Sequence, residues 1–274
     1  MSCARSAGPI IYVTTPWRLA WSDEFDGPAG APPDSLTWSY QTGDGCEQGI
    51  CGWGNQEQET YTADAANAAL DGQGHLAIVA RRAAPGSACR AGACRYTSAR
   101  LIARRQRLAQ PGRVEARIQI PEGQGLWPAF WMLGARDPDA PWPLKGELDI
   151  MENHGSNPRS TSSAVHGPGY SGKTPFVHDV ALVNSGSFSA GFHLFAVEWD
   201  GTAVRFYVDN ALHYTVSRQE VERYGAWVFD QPFSVIMNMA VGGTFDGNPR
   251  SEEILPATML VDYVRVYTAV LVSR

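Results

Sequence analysis

The feature that most constrains the fold of this chain is a two-residue alternation of apolar and polar side chains, which recurs in short runs along most of its length. In GRVEARIQI (112–120), Val114, Ala116 and Ile118 fall on one face of an extended strand. Glu115 and Arg117 fall on the opposite face. This period predicts half-buried antiparallel strands. Comparable runs occupy residues 75–82, 192–199, 203–209, 233–241 and 259–269.

Helical periodicity is confined to SRQEVERYG (217–225), where we expect about two turns. Runs of strands without alternating helices argue against a parallel α/β sheet. No Pro/Ser-rich linker divides the chain, and no repeat of about 20–50 residues is visible. We therefore predict one all-β domain over residues 17–274, a sandwich of two antiparallel sheets, preceded by a lead-in at residues 1–16.

Charge and hydropathy argue against a nucleic-acid partner and against a membrane-spanning helix. The formal net charge is −6 and no basic stripe is visible, so we expect no nucleic-acid partner. No window holds about 18 uninterrupted apolar residues, which excludes a membrane-spanning helix. Charged residues make up only 18% of the chain, below the roughly 25% typical of soluble domains, whereas Trp, Tyr and Phe number 9, 10 and 10.

The cysteines indicate the compartment. Cys46/Cys51 and Cys89/Cys94 form two local pairs in Gly-rich loop sequence, and Cys3 is left over. We favour two loop disulfides over free thiols or a four-thiolate zinc site, because the spacing within each pair is looser than is usual for zinc and the surrounding sequence is typical of surface loops. Disulfides imply an oxidising compartment, so we expect a secreted protein. The first residues lack the apolar stretch of a signal peptide. A lipid anchor on Cys3 is a possible but unsupported alternative.

The segment KGELDIMENHG carries three acids, Glu147, Asp149 and Glu152. In a regular strand Glu147 and Asp149 share a face while Glu152 points the other way. One β-bulge around Ile150–Met151 would bring all three to one face, and bulges are common beside active sites. Such acids repel each other, which raises at least one pKa. Glycoside hydrolysis needs one ionised and one protonated carboxyl, so we favour catalysis over a calcium site or acidic decoration of a solvated edge strand.

The flanking motifs carry a resemblance. In order along the chain they are WSDEFDG, GWGNQEQETYT, GQGLWPAFWMLG, WPLKGELDIMENHG, AVHGPGYSG, MNMAVGG and PATMLVDYVRVY. They resemble glycoside hydrolase family 16, in its laminarinase-like (endo-β-1,3-glucanase) branch, from about Trp21 to Tyr267. The resemblance implies a concanavalin A-like β-jelly roll with a concave substrate cleft, and hydrolysis with retention at the anomeric carbon. It implies Glu147 as nucleophile, Glu152 as general acid/base and Asp149 as the residue that shares a proton with the nucleophile, with no catalytic cofactor.

Flat aromatic rings bind the apolar faces of sugars, and polar groups fix the hydroxyls. A single Trp is more often core than cleft, yet the resemblance places Trp131 and Trp142 in the cleft and leaves Trp127 open. Asn238, a lone polar residue in an apolar strand, is either hydrogen-bonded in the core or directed into a site. The family pattern favours the site. The remaining sugar-binding candidates that the resemblance implies are His166, Asn55 and Arg100.

The resemblance also implies a structural calcium ion on the convex side, away from the cleft. The matching positions are Glu24, the carbonyl of Gly74 and Asp262, and the alternative is that both acids are ordinary surface residues. We expect a monomer that hydrolyses β-1,3-glucan. The basic segment 101–113 and the long connection 137–145 depart from the common pattern. Rival functions are a family 16 enzyme acting on mixed-linkage glucan, galactan or agarose, a transglycosylase, or a non-catalytic glucan-binding protein.

Overall fold

A computed structural model describes residues 17–85, 87–89, 92–93, 95–137, 139–172, 176–183 and 186–270. The lead-in at 1–16, Cys3 and the predicted Cys89/Cys94 disulfide fall outside the described residues and side chains, so they remain predictions.

The described part of the chain is built from strands joined by turns. In chain order the strands are β1 Trp17–Asp23, β2 Trp38–Tyr40, β3 Glu59–Tyr61, β4 Ala68–Leu70, β5 Leu76–Arg82, β6 Ala88–Cys89, β7 Gly92–Ala93, β8 Tyr96–Ser98, β9 Arg100–Ala103, β10 Gly112–Gln119, β11 Leu126–Gly134, β12 Glu147–Glu152, β13 Ser160–His166, β14 Phe176–Ala181, β15 His193–Trp199, β16 Ala203–Val208, β17 Ala211–Ser217, β18 Phe233–Val241 and β19 Ala257–Ala269. One short α-helix, α1, spans Arg218–Val221. Single 3-10 turns lie at Cys46–Gln48, Cys51–Gly54, Arg105–Arg107 and Glu252–Ile254.

Two sheets form a sandwich. The larger runs β17-β16-β15-β10-β19-β5-β8-β3, with β1 on β19 and β4 on β5, and the smaller runs β14-β13-β12-β11-β18-β9-β2. Among the described strands the pairs are antiparallel except β3 with β8. Val114, Ala116 and Ile118 of β10 pack into the same core as Phe130 and Met132 of β11. The predicted antiparallel sandwich is confirmed.

The alternation predicted the long strands correctly, but the length of the helix and the exposure of one strand face differ from the expectation. The helix expected over 217–225 is a single turn, capped reciprocally by Ser217 and Glu220. It ends at Val221, whose carbonyl accepts hydrogen bonds from the backbone N–H groups of Tyr224 and Gly225 in the turn that follows. The polar face of β10 is also less exposed than expected: Glu115 is buried and accepts hydrogen bonds from Arg113.

The loop between β2 and β3 contains the disulfide Cys46–Cys51. Its formation confirms one of the two predicted loop disulfides and excludes these sulfurs as zinc ligands. Within the described ranges, no helix is both long enough and apolar enough to cross a bilayer.

Candidate active site

A β-bulge in β12 brings the three acids to one face. Asp149 pairs with Trp131 of β11, but Met151 pairs with Phe130, so Ile150 is the extra residue. The shift of phase lets Glu147, Asp149 and Glu152 point away from the core. Leu148, Ile150 and Met151 are almost completely buried in the core. The bulge predicted from the spacing of the acids is therefore present.

Strand β12 lies inside the smaller sheet, between β11 and β13, and the connection from β11 fixes where it begins. Gly134 ends β11 with its N–H donated to the carbonyl of Gly146, the residue before Glu147. A Cβ on Gly134 would lie 1.8 Å from the carbonyl oxygen of Lys145, so only glycine allows this close approach.

His166 of β13 sits opposite Glu147 and contacts two of the acids. Its Nε2 lies 3.1 Å from Oδ2 of Asp149 and 3.8 Å from Oε1 of Glu147. The shorter contact lacks hydrogen-bond geometry, so Oδ2 of Asp149 is buried without a hydrogen-bond partner among the described residues. The other ring nitrogen of His166, Nδ1, is likewise buried without one there. Asp149 thus has an oxygen available to share a proton with a neighbouring carboxyl.

Glu152 has different surroundings. Its Oε1 accepts a hydrogen bond of 3.0 Å from the indole Nε1 of Trp127. Trp127, which the sequence left between core and cleft, therefore belongs to the site. Glu147 and Glu152 are held by unlike neighbours, which is the condition for unlike protonation states.

Burial and mutual repulsion raise the pKa values in this group of acids. Burial, then repulsion by Asp149, raises the pKa of Glu147 well above its ordinary value, while His166 opposes the rise. Burial raises the pKa of Asp149 to about 8. Burial, then Asp149, raises the pKa of Glu152 to about 8, against the opposing effects of His166 and the Trp127 N–H. The three protons belong to one coupled group, so one carboxylate ionises most easily while its neighbours stay neutral.

Three of the predicted sugar-binding residues meet beside the acids. Trp131 donates its indole N–H to Oδ1 of Asn238 over 2.7 Å. The guanidinium carbon of Arg100 lies 4.8 Å from the Trp131 ring centroid and 4.5 Å from that of Trp53. Such cation–π contacts hold an arginine in place while leaving its N–H groups as donors. Asn238 is 6% exposed and lies on the same face as the acids.

The other two candidates lie at the margins of this group. Trp142 is 49% exposed on the connection from β11 to β12, with its ring centroid 6.0 Å from that of His166. The connection therefore borders the site, as its position before Glu147 suggested. Asn55 donates through Nδ2 to Oε1 of Glu57 over 3.0 Å.

A polar network behind Asn238 was missed by the sequence reasoning. Asn238 donates to the hydroxyl of Tyr61 over 3.0 Å, and that hydroxyl donates to Glu57 over 3.3 Å. Glu59 is buried and accepts from the backbone N–H of Val241 over 2.7 Å. Its pKa is raised well above the ordinary value by burial and then by Glu57. The two-residue spacing of Glu57, Glu59 and Tyr61 in QEQETYT was the available signal.

The calcium candidates lie elsewhere, at the β1 and β19 strands of the larger sheet. Glu24 accepts two hydrogen bonds from Arg265, and Asp262 pairs with Arg117. Both carboxylates are thus already neutralised, and the side chains as placed do not form a ready calcium cage. In the described part of the chain, ligating atoms of three or more His, Cys, Asp or Glu residues come within 4.8 Å of one another only at Glu147, Asp149 and His166.

Comparison with known proteins agrees with this geometry. The family model described as "Glycosyl hydrolases family 16" matches residues 55–265. A β-glucanase of Rhodothermus marinus is 39% identical over 263 residues, covering 92% of this chain and 85% of that protein.

Two solved structures share the fold. The laminarinase catalytic domain from Thermotoga maritima superposes with a TM-score of 0.86 at 40% identity, covering 93% of this chain and 99% of that one. The endo-β-1,3-glucanase from Pyrococcus furiosus gives a TM-score of 0.85 at 42% identity, covering 93% of this chain and 95% of that one. The predicted jelly-roll sandwich is confirmed by these likenesses. Because the family model covers most of the chain and these relatives match nearly all of it, the protein belongs to glycoside hydrolase family 16 and is a glycosidase.

Proposed function

We propose that this chain is a retaining endo-glycosidase that cleaves β-1,3-glucan of the laminarin type. The observation that carries the proposal is the alignment of Glu147, Asp149 and Glu152 on one sheet face by the bulge at Ile150. The similarity to the Thermotoga laminarinase and the Pyrococcus endo-β-1,3-glucanase supports β-1,3-glucan as the substrate.

In the first step, Glu147 attacks the anomeric carbon and forms a glycosyl-enzyme bond. Glu152 gives its proton to the departing glycosidic oxygen, so the leaving sugar departs neutral. Glu147 must be ionised at that moment, and Asp149 favours this by keeping a proton that it can share. A pKa of about 8 keeps Glu152 protonated at neutral pH.

In the second step, Glu152 is ionised and takes a proton from water, which attacks the anomeric carbon and releases Glu147. Across the two steps Glu147 forms and then releases the covalent bond, and Glu152 donates and then accepts a proton, so the cycle needs no cofactor. Retention requires their carboxyls to stand about 5–5.5 Å apart.

Six residues are proposed to hold the sugar. The rings of Trp131 and Trp142 offer flat apolar surfaces beside β12. Polar groups next to them would fix the hydroxyls. These groups belong to His166, Asn238, Asn55 and Arg100.

The decisive experiment combines substrate range with removal of the nucleophile. The protein is incubated with laminarin, lichenan, agarose and xyloglucan, and the products are sized. We expect short β-1,3-oligosaccharides from laminarin, and Glu147→Gln should lose several orders of magnitude in turnover while still binding laminarin.

Glu253→Gln, the same change at an exposed residue of the Glu252–Ile254 turn, is the matched control and should keep wild-type turnover. Full turnover by Glu147→Gln would exclude the mechanism. Cleavage of agarose or lichenan alone would assign a different polysaccharide, and binding without cleavage by the wild type would indicate a glucan-binding protein.

The proposal extends to the setting of the enzyme. The Cys46–Cys51 disulfide supports secretion, because such bonds persist in oxidising compartments. We propose one catalytic domain over residues 17–274, acting as a monomer.

A structural calcium ion held by Glu24, the Gly74 carbonyl and Asp262 is also proposed. In its support, β1 pairs with β19 through Asp23 and Val264, which brings Glu24 near Asp262. The Gly74 backbone lies beside Asp26, since a Cβ there would sit 4.0 Å from Oδ1 of that residue. The ion would compete with Arg265 and Arg117 for the two carboxylates.

A further inference from the structure

Three aromatic rings are stacked beside Glu152, and nothing in the proposed mechanism uses them. The ring of Phe245 lies between Trp127 and His154. Its centroid is 4.3 Å from that of Trp127, with an interplanar angle of 14°, and 3.8 Å from that of His154, with an angle of 4°. We call Trp127, Phe245 and His154 the aromatic stack. Its members come from the start of β11, the loop after β18 and the turn after β12.

The carboxylate of Asp246 ties these three segments together. It accepts hydrogen bonds from the backbone N–H of Gly125 (2.8 Å), from that of Ser156 (3.0 Å) and from the Ser156 hydroxyl. Its side chain is only 5% exposed, and the Nδ1 of His154 lies 3.6 Å from Oδ1. Each segment that contributes a ring is therefore anchored within two residues of that ring. The stack is a built feature and not a chance contact of surface side chains.

Trp127, at one end of the stack, contacts the carboxyl of Glu152. Its indole N–H donates a hydrogen bond to Oε1 of that carboxyl. An indole can only donate, so the oxygen it contacts acts as acceptor. The carbonyl oxygen of a carboxylic acid is its better acceptor, so this bond favours a protonated Glu152 with its proton on Oε2 and one carboxyl orientation.

We propose that Trp127, held in place by Phe245 and His154, is a positioning residue that orients Glu152 and assigns its transferable proton to Oε2. The inference rests on the proposed function, because it takes Glu152 as the acid/base. The same N–H bond stabilises the ionised carboxylate that acts as base in the second step, so its loss should raise the pKa of Glu152.

The test is the pH profile of kcat/KM for Trp127→Phe, which keeps an aromatic ring in the stack and removes only the N–H donor. The alkaline limb should move upward by about 1 pH unit, and the value on laminari-oligosaccharides should fall roughly 10- to 100-fold. An aryl glycoside with a good leaving group needs little protonation, so the loss on that substrate should be smaller.

Phe245→Leu keeps the N–H but removes the stacking partner, so it should shift the limb in the same direction and by less. The double variant should shift it no further than Trp127→Phe, because both changes act on one hydrogen bond. Trp227→Phe is the matched control, since it removes an indole N–H donated to Asp230 over 3.1 Å. It should leave the profile unchanged.

An alkaline limb at the wild-type pH in folded Trp127→Phe would overturn the proposal and reduce Trp127 to packing. If that variant fails to fold, an alkaline limb at the wild-type pH in Phe245→Leu would overturn the proposal instead. Failure of the proposed function is a separate result. It would appear as an alkaline limb that survives in Glu152→Ala, whatever Trp127 does.

Discussion

At the scale of single residues, the two glutamates of β12 differ by what their oxygens contact. Glu147 lies against Asp149 and His166, whereas Glu152 receives the N–H of Trp127. In the proposed mechanism, a proton retained by Asp149 allows Glu147 to ionise without two adjacent charges. These different neighbours would give two chemically identical side chains the separate roles of nucleophile and acid that we propose.

Glu152→Ala should remove the alkaline limb of the rate profile. On an aryl glycoside whose leaving group departs faster when protonated but can also depart without the acid, the wild-type kcat/KM should fall as pH rises through about 8, because Glu152 then loses its proton. The variant has no such proton to lose, so its profile should stay flat there. On laminarin its turnover should drop by several orders of magnitude. If the limb persists on the aryl substrate, another group supplies the proton.

At the scale of elements, the free edges of the two sheets meet at a histidine seam formed by β14 and β17. His178 of β14 stacks on Tyr214 at 5.1 Å and lies 5.8 Å from His213 of β17. The Nε2 of His213 contacts the hydroxyl of Ser163 at 3.3 Å, while its Nδ1 is buried with no hydrogen-bond partner in the part of the chain that the structure describes. A charged imidazole at His213 would therefore have one N–H without an acceptor, which disfavours its protonation.

This seam should weaken in acid. Burial, then His178, lowers the pKa of His213 to about 4. The unfolded chain takes up this proton near pH 6.5, so the stability that His213 contributes is present above that pH and lost as pH falls towards 4. The slope is at most about 1.4 kcal/mol per pH unit.

His213→Gln cannot gain the charge, so its free energy of unfolding should fall less between pH 6.5 and 4. Urea unfolding at a series of pH values measures this. Equal slopes for variant and wild type would assign the acid loss to other groups.

At the scale of the whole molecule, β19 connects the start of the chain to the centre of the larger sheet. It pairs with β1, β10 and β5, and Arg265 near its end pairs with Glu24 beyond β1. The acids of the active site stand on the other sheet. An ion at Glu24 and Asp262 would join distant segments without touching the reaction.

Chelation should therefore lower the melting temperature and leave turnover at room temperature unchanged. A ligand bound to the folded state alone at a hundredfold excess over its Kd contributes about 2.7 kcal/mol, or roughly 5–10 °C for a domain of this size. Asp262→Asn should reproduce the loss without chelator. Arg117→Gln, which frees the same carboxylate from its ion pair, should bind calcium more tightly. If each of the three proteins has the same melting temperature with chelator as with calcium, Glu24 and Asp262 pair only with arginines and bind no calcium.

The sequence by itself determined the strand pattern and the candidate catalytic acids. The period of two in GRVEARIQI and FSVIMNMAV placed β10 and β18 within a residue, because side-chain alternation is a local property of an extended chain. The spacing of Glu147, Asp149 and Glu152 required a bulge for the same local reason. Motif resemblance then supplied their roles.

Only the tertiary structure decided what surrounds those groups. Trp127, Phe245 and His154 are far apart in the chain and meet because the ends of β11, β12 and β18 lie side by side. The same holds for Glu57, Tyr61 and Asn238, and for the arginines that pair with Glu24 and Asp262. Pairing between strands distant in sequence creates these contacts, and local periodicity carries no information about which strands become neighbours.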